Sequence, residues 1–336
     1  MSRPAAEIPP DQPQFSRPVR VLKSLIKCGA IGFVLLLVML YFLQRHLIYH
    51  PKRGTVLVEE FSSHVGPVYD VSITATDGVT LHGWLSLAKA SPLPTDQVTP
   101  PTAEFFVERP QPFVLYFQGN AGNRSRRGMQ VAMLNDLGCD VLIVDYRGYG
   151  DNDGAPSEKG LAADAKSICL AVQERYQVPV SRMVLFGESL GGGVATGLCH
   201  DLCAAGTPPA GLIIRASFSS LGDVASYHYP WLPVRWLLTD RYPSVERLPQ
   251  ITSAVLVLHG DADEVIPFSQ GEQLFAAAPA QSASGIAKQF IRLKGTGHND
   301  IMYVAGDQVR AGLSPFFEKV SNTLTAREKT AVSQNN

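Results

Sequence analysis

Short apolar runs alternate with longer helical stretches along most of the chain beyond residue 68. The runs are Phe113–Phe117, Asp140–Asp145, Met183–Phe186, Leu212–Arg215, Val255–His259 and Gln289–Leu293. Helix-like stretches separate them, near 125–136, 158–175, 190–204, 268–278 and 308–325. Short runs that are apolar at nearly every position are typical of parallel strands buried on both faces. The alternation predicts an α/β fold with right-handed crossovers and a doubly wound, mostly parallel sheet.

The beginning of this pattern predicts an antiparallel hairpin. Residues Val68–Thr74 alternate between apolar and polar, and a second run, Leu81–Leu87, follows the turn residues Asp77 and Gly78. An Asp-Gly pair between two such runs favours a tight hairpin turn.

Two segments interrupt the pattern. Residues 88–112 are rich in proline and are predicted to form a surface insertion. Residues 217–252 are short for a lid domain and are predicted to form a cap segment, which contains Tyr227, Tyr229, Trp231 and Trp236. These aromatic residues suit the wall of an apolar acyl pocket, and packing over the sheet edge is the equal alternative.

A long apolar segment precedes the fold. The 16 residues Cys28–Leu43 carry no charge, and residues 21–47 are long enough for a transmembrane anchor, which needs about 20 residues. The alternatives are a cleaved signal peptide and a buried core helix. A cleaved signal peptide needs small residues at its cleavage site, and this segment lacks them. A buried core helix is rarely apolar on every face.

The charge distribution predicts how the anchor is oriented. Residues 1–50 contain six Lys or Arg against two acidic residues, a net charge of +4, so the remainder carries −5 in a chain of net charge −1. Because most of the basic residues precede the apolar segment, we expect a single-pass protein with a cytoplasmic N-terminus and the large domain on the opposite side. Residues 1–20 and 326–336 are predicted to be disordered tails, and 55–325 the folded domain.

Composition excludes several classes of protein. A net charge of −1 is unlike a generally basic nucleic-acid-binding protein, and five cysteines in 336 residues are too few for a disulfide scaffold. The sequence contains no HExxH, no CxxC, and no GxGxxG after a strand. We therefore expect no metal and no nucleotide cofactor.

A nucleophile motif follows one of the predicted strands. The run Met183–Phe186 leads into Gly187-Glu188-Ser189-Leu190-Gly191, a GxSxG sequence between a strand and a helix. In that context the serine occupies a strained turn with its hydroxyl exposed above the sheet. Ser189 is the candidate nucleophile, and the alternative is a glycine-rich helix start that packs against the sheet.

A serine nucleophile needs a base and an orienting acid. Three carboxylates, Asp261, Asp263 and Glu264, follow the run Val255–His259, and His298 lies in a glycine-rich loop after the last run. The position of His298 makes it the candidate base. The residues alone leave the choice among the three carboxylates open.

Six segments together resemble the α/β-hydrolase superfamily between about residues 68 and 320. They are LYFQGNAGN (115–123), DYRGYGDNDGAPSEKGL (145–161), FGESLGGGVA (186–195), SFSSL (217–221), LHGDADEVIP (258–267) and GTGHND (295–300). The chain is most similar to the membrane-anchored serine hydrolases of that superfamily, which include depalmitoylase-like proteins.

The resemblance implies residue roles. It identifies Asp263 as the acid, from the pattern H-G-x-x-D-x-x-x-P, and the Asn120 N–H as one oxyanion donor beside the Leu190 N–H, which follows the nucleophile. Gln118 replaces the histidine that is usual in the family, which puts any side-chain role at that position in doubt.

The expected function is a membrane-anchored serine hydrolase. It would act at the lipid bilayer on the ester or thioester of an apolar acyl group, in a small-molecule, lipid or acylated substrate, with no nucleic-acid partner. The alternatives are a serine aminopeptidase-like hydrolase and a membrane-tethered binding module without activity on the same fold.

Overall fold

The computed structural model describes residues 17–89, 101–109 and 111–334. The chain divides into two compact units, Met1–Gln44 and Arg45–Asn336, and the second is called the body. In the described residues, one helix, Val19–Ile48, is long and apolar enough to cross a membrane.

The body contains an eight-stranded sheet in the order β1-β2-β4-β3-β5-β6-β7-β8. The strands are β1 (Val68–Thr74), β2 (Thr80–Ser86), β3 (Phe113–Phe117), β4 (Asp140–Val144), β5 (Met183–Glu188), β6 (Gly211–Arg215), β7 (Ala254–Gly260) and β8 (Gln289–Leu293). β2 is antiparallel to both β1 and β4, and the other pairs are parallel. The predicted hairpin and the mostly parallel sheet are therefore confirmed.

Helices precede, separate and follow the strands along the chain. They are α1 (Arg17–Ile48), α2 (Glu59–Ser62), α3 (Ala103–Val107), α4 (Gly128–Asp136), α5 (Glu158–Tyr176), α6 (Leu190–Ala204), α7 (Leu221–His228), α8 (Val234–Leu237), α9 (Ser244–Arg247), α10 (Phe268–Ala277), α11 (Ile301–Val304) and α12 (Gly306–Gln334). Short 3₁₀ helices span Arg124–Arg127, Val180–Arg182 and Leu248–Gln250.

Both faces of the sheet are buried. In β3, Phe113, Leu115 and Phe117 pack in one hydrophobic core, and Val114 and Tyr116 pack in the other. Successive side chains of a strand point to opposite faces. This burial explains why the parallel strands appear in the sequence as continuous apolar runs.

The predicted surface insertion at 88–112 contains a helix. Residues 90–100 and 110 lie outside the described residues, but α3 places Phe106 in the core, where its ring packs edge-on against Phe113 and Tyr176. Arg109 is also buried and pairs with Asp140 at 3.2 Å. The prediction of a surface insertion is therefore wrong for its end at residues 103–109, because aromatic burial and an ion pair hold these residues against the core.

The predicted disordered tails overlap the two terminal helices. Residues 1–16, 335 and 336 lie outside the described residues, whereas 17–20 belong to α1 and 326–334 to α12. Pro18 is compatible with the first turn of α1. The sequence after Phe316 contains no glycine or proline that would end α12.

The aromatic residues of the predicted cap segment are exposed. Helices α7, α8 and α9 lie within 217–252, and the exposed fraction is 63% for Tyr227 and 89% for Trp236. Tyr229 and Trp231 are also exposed. The alternative in which these four side chains pack over the sheet edge is therefore wrong, since Phe218, Tyr242 and Leu248 supply the buried contacts of the segment instead.

The body begins before residue 55, the predicted start of the folded domain. Residues 48–54, here called the strap, run between two loops that follow β3 and β4. The His50 N–H donates to the Asn120 carbonyl at 2.9 Å, and the Lys52 N–H donates to the Gly122 carbonyl at 2.9 Å. The Gly54 N–H donates to the Gly150 carbonyl at 2.8 Å. Tyr49 is buried and bonds to Asp240, so the strap is part of the folded body.

The strap should contribute to stability. We expect a truncated chain that starts at Thr55 to have a free energy of unfolding about 2–4 kcal/mol lower than one that starts at Arg45, because it loses several hydrogen bonds worth about 0.5–1.5 kcal/mol each. Urea unfolding followed by circular dichroism measures the difference. Equal stability of the two chains would contradict the role of the strap.

Candidate active site

The turn between β5 and α6 holds Ser189 in an unusual backbone conformation. Its φ is 53° and its ψ is −118°, a region that residues with a side chain rarely occupy. The turn closes only because the flanking residues are small. A Cβ atom on Gly187 would collide with the backbone of Gly191, and one on Gly191 would collide with the backbone of Phe117. The predicted strand–turn–helix context of the motif is present.

Ser189, His298 and Asp263 lie in hydrogen-bonding sequence. His298 Nε2 is 3.0 Å from Ser189 Oγ, and His298 Nδ1 is 2.7 Å from Asp263 Oδ2. An ionised carboxylate only accepts hydrogen bonds, so the Nδ1–H donates to Asp263 and leaves Nε2 free to accept from the serine hydroxyl. The structure thus brings together the three side chains that the sequence analysis selected.

The backbone of the loop after β7 holds the Asp263 carboxylate in place. Asp263 Oδ1 accepts hydrogen bonds from the N–H groups of Val265 at 2.9 Å and Ile266 at 2.7 Å. Asp261 instead bonds to Arg292 and to the Gly295 N–H, and Glu264 is exposed. Of the three candidate carboxylates, Asp263 is therefore the one that contacts His298.

Near the serine, two backbone N–H groups have no hydrogen-bond acceptor in the described part of the chain. Within residues 17–89, 101–109 and 111–334, no hydrogen-bond acceptor is found for the N–H groups of Asn120 and Leu190. A Cβ atom on Gly119 would lie 3.4 Å from Ser189 Cβ, so the loop after β3 passes directly beside the serine. The Asn120 side chain donates to the Ile48 carbonyl at 2.9 Å, and the strap therefore positions this loop.

Comparison with known proteins agrees with this fold. A sequence profile of the family described as "Serine aminopeptidase, S33" matches residues 108–246. An uncharacterized protein of Mycobacterium tuberculosis, MT2364, is 39% identical over 283 residues, which are 84% of this chain and 88% of that protein. The chain belongs to the α/β-hydrolase superfamily.

Other relatives of this α/β-hydrolase have more informative names. The lysophosphatidylserine lipase ABHD12 of Danio rerio is 37% identical over 196 residues, which are 54% of this chain and 51% of that protein. The chain thus spans about half of that relative. Among solved structures, the Pyrococcus furiosus esterase PF2001 has a TM-score of 0.58 at 16% identity, covering 81% of this chain and 98% of that one. Together the family and the relatives support a hydrolase of the ester-cleaving type.

Gln118 is a buried structural residue. Its Nε2 donates to Asp145 Oδ1 at 2.5 Å, and Arg124 pairs with the same carboxylate at 2.6 Å. The Tyr146 hydroxyl donates to the Gln118 carbonyl at 2.8 Å. These contacts fix the loop that carries Asn120 without requiring a histidine.

An ion-pair cluster beside Ser189 was not predicted from the sequence. Glu188 Oε2 lies 2.7 Å from Arg215 and 3.2 Å from Arg127. Burial alone would raise the pKa of Glu188, but the charges of Arg127 and Arg215 outweigh it and hold the pKa at about 2. Glu188 is the variable residue before the serine in the GxSxG motif, so the motif itself carries no signal for this pairing.

Further residues with reactive or charged side chains have structural contacts. Arg147 of the Tyr-Arg-Gly-Tyr-Gly segment forms ion pairs with Asp164 and Asp77. Cys199 and Cys203 are both free thiols on α6. Among the described residues, no group of three or more His, Cys, Asp or Glu is placed to hold a metal ion.

The Glu188 cluster should make stability depend on pH. We expect Glu188→Gln to lower the free energy of unfolding by about 3 kcal/mol near neutral pH, because it leaves two partly buried guanidinium groups without their carboxylate. The folded-state pKa of Glu188 is lower than its ordinary 4.5. The contribution of the carboxylate is therefore complete above about pH 5 and fades as pH falls towards 2.

Urea unfolding of wild type and Glu188→Gln between pH 3.5 and 7 measures this dependence. The difference in unfolding free energy should be largest at pH 7 and shrink as the solution is acidified. Glu174→Gln, at an exposed position of α5, serves as the matched control and should show almost no difference at any pH. A difference in unfolding free energy between wild type and Glu188→Gln that does not change with pH would contradict a lowered pKa of Glu188 in the folded protein.

Proposed function

We propose that this protein is a membrane-anchored serine hydrolase that cleaves the ester or thioester of an apolar acyl group through an acyl-enzyme. The observation that carries the proposal is the continuous hydrogen-bonding sequence from Ser189 Oγ through His298 to Asp263, with separations of 3.0 and 2.7 Å. This geometry suits proton removal from the serine, because the serine hydroxyl and the Asp263 carboxylate contact the two different nitrogens of the His298 ring.

In the proposed reaction, Ser189 Oγ attacks the acyl carbonyl carbon while its proton passes to His298 Nε2. Asp263 orients the ring and stabilises the imidazolium that forms. The N–H groups of Asn120 and Leu190 would donate to the oxyanion, and each such donor is worth about 10²–10³ in rate. His298 then returns the proton to the departing oxygen or sulfur, and water releases the acyl group by the reverse route.

Three observations favour an apolar acyl substrate. The helix Val19–Ile48 is long and apolar enough to serve as a membrane anchor. Exposed aromatic side chains, Trp231 and Trp236 among them, project from the cap segment, and tryptophan favours the interface between water and lipid. A relative is named a lysophosphatidylserine lipase.

The basic N-terminal flank of the anchor favours a cytoplasmic N-terminus with the body on the opposite side.

The second candidate is a serine aminopeptidase, favoured by the description of the matching family. The same three side chains would serve an amide bond, so the reaction centre does not separate the two candidates. The choice of substrate separates the two candidates, since an aminopeptidase requires a free amino group beside the scissile bond. A series of p-nitrophenyl acyl esters set against aminoacyl p-nitroanilides distinguishes them.

The reaction should depend on Ser189. We expect Ser189→Ala to lower kcat for p-nitrophenyl esters by at least about 10⁴-fold, and Asp263→Asn by about 10³–10⁴-fold with little change in KM, because both act in the transition state. Steady-state kinetics in detergent measure this. The exposed serine Ser72 on β1 supplies the control variant Ser72→Ala, which should retain wild-type activity.

Two results would contradict the proposal. A Ser189→Ala variant that keeps more than a tenth of the wild-type rate would exclude Ser189 as nucleophile. Turnover of aminoacyl anilides with no turnover of esters would favour the aminopeptidase.

A further inference from the structure

A cavity of about 510 Å³ opens beside His298. Among the described residues, its wall contains three arginines, Arg126, Arg127 and Arg215, and one carboxylate, Glu188. These four side chains together carry a net charge of +2. A cavity of this size matches a small-molecule site rather than a packing defect.

The arginine charges of the wall are only partly compensated. Glu188 is shared between Arg127 and Arg215, so one carboxylate serves two guanidinium groups. Asp145, which also acts electrostatically on Arg127, is paired with Arg124. Charges removed from water are costly unless they are paired, so the wall is electrostatically incomplete without an anion.

An arginine at the rim of the cavity supports the same conclusion. Arg126 is exposed at the rim of the cavity and forms no ion pair with any described residue. A guanidinium group presents several donors in one plane, an arrangement that matches the oxygens of a phosphate.

The position of the cavity indicates which part of a substrate it would hold. His298 lines it, and His298 is the group that would return a proton to the departing oxygen. The leaving group of the ester must therefore lie on this side of the serine. Ala121 and Gly122, which follow Asn120, form another part of the same wall.

We propose that this cavity binds the anionic, phosphate-bearing leaving group of the substrate, so that the preferred substrates are acyl esters of a phosphorylated alcohol. The inference rests on the proposed ester hydrolysis. In the reaction the acyl carbon–oxygen bond breaks, the departing oxygen takes the proton held by His298, and the product is the free phosphorylated alcohol. Water replaces that alcohol at the acyl-enzyme. The positive wall disfavours the ammonium group that an aminopeptidase substrate would carry.

The test compares two substrates that differ only in the phosphate. These are 1-decanoylglycerol 3-phosphate and 1-decanoylglycerol, presented in the same neutral detergent micelles to the full-length protein. We expect kcat/KM to be about tenfold higher for the phosphate ester, mainly through a lower KM, because charge-assisted contacts strengthen binding. The preference should weaken as salt is raised, since one of the arginines is exposed to solvent.

Arg126→Gln is the informative variant, because Arg126 is exposed and its removal breaks no ion pair in the described residues. We expect the ratio of kcat/KM for the two substrates to fall about fivefold or more. Arg175→Gln, an exposed arginine on α5 outside the cavity, is the matched control and should leave the ratio unchanged. Equal use of both substrates by the wild type, or an equal loss of preference in both variants, would overturn the anion site while leaving ester hydrolysis intact.

A binding measurement separates this inference from the proposed reaction. Calorimetry with Ser189→Ala should show tighter binding of 1-decanoylglycerol 3-phosphate than of 1-decanoylglycerol, and the difference should fall in the Ser189→Ala, Arg126→Gln double variant. Failure of the wild type to cleave either ester would contradict the proposed reaction alone. Absence of any phosphate-dependent binding would contradict the cavity assignment alone.

Discussion

The backbone of Ser189 at positive φ is the constraint on which the site depends. Holding a residue with a side chain in that region costs about 1–3 kcal/mol, so the surrounding structure must impose it. β5 fixes one end of the turn in the centre of the sheet, and α6 fixes the other. Gly187 and Gly191 are required because their neighbours leave no space for a Cβ atom. The hydroxyl is thereby presented above the sheet instead of being buried within it.

The other groups at the site come from loops that leave the same edge of the sheet. Asp263 follows β7, His298 follows β8 and Asn120 follows β3, as expected where parallel strands end together. The strap also positions one of these loops, because its residues His50 and Ile48 form hydrogen bonds with Asn120. The residues immediately after α1 are thus coupled to the loop that would carry an oxyanion donor.

The sequence was sufficient to predict the parts that depend on local pattern. Buried parallel strands appear as apolar runs, and the GxSxG motif marked the turn at Ser189. The choice of Asp263 over Asp261 needed family resemblance, because both carboxylates follow the same strand. The burial of Phe106, the strap contacts and the pairing of Glu188 with Arg215 were not predictable in this way. Each depends on segments that are distant in sequence and meet only in the folded body.

The most direct test of the account is whether the serine at this turn is chemically activated. A fluorophosphonate probe should label the folded wild type, and peptide mapping by mass spectrometry should place the adduct on Ser189. The Ser189→Ala protein, with the same thermal unfolding profile, should remain unlabelled. No labelling of the folded wild type, or an adduct on another serine, would contradict the assignment of Ser189, His298 and Asp263 as a catalytic unit.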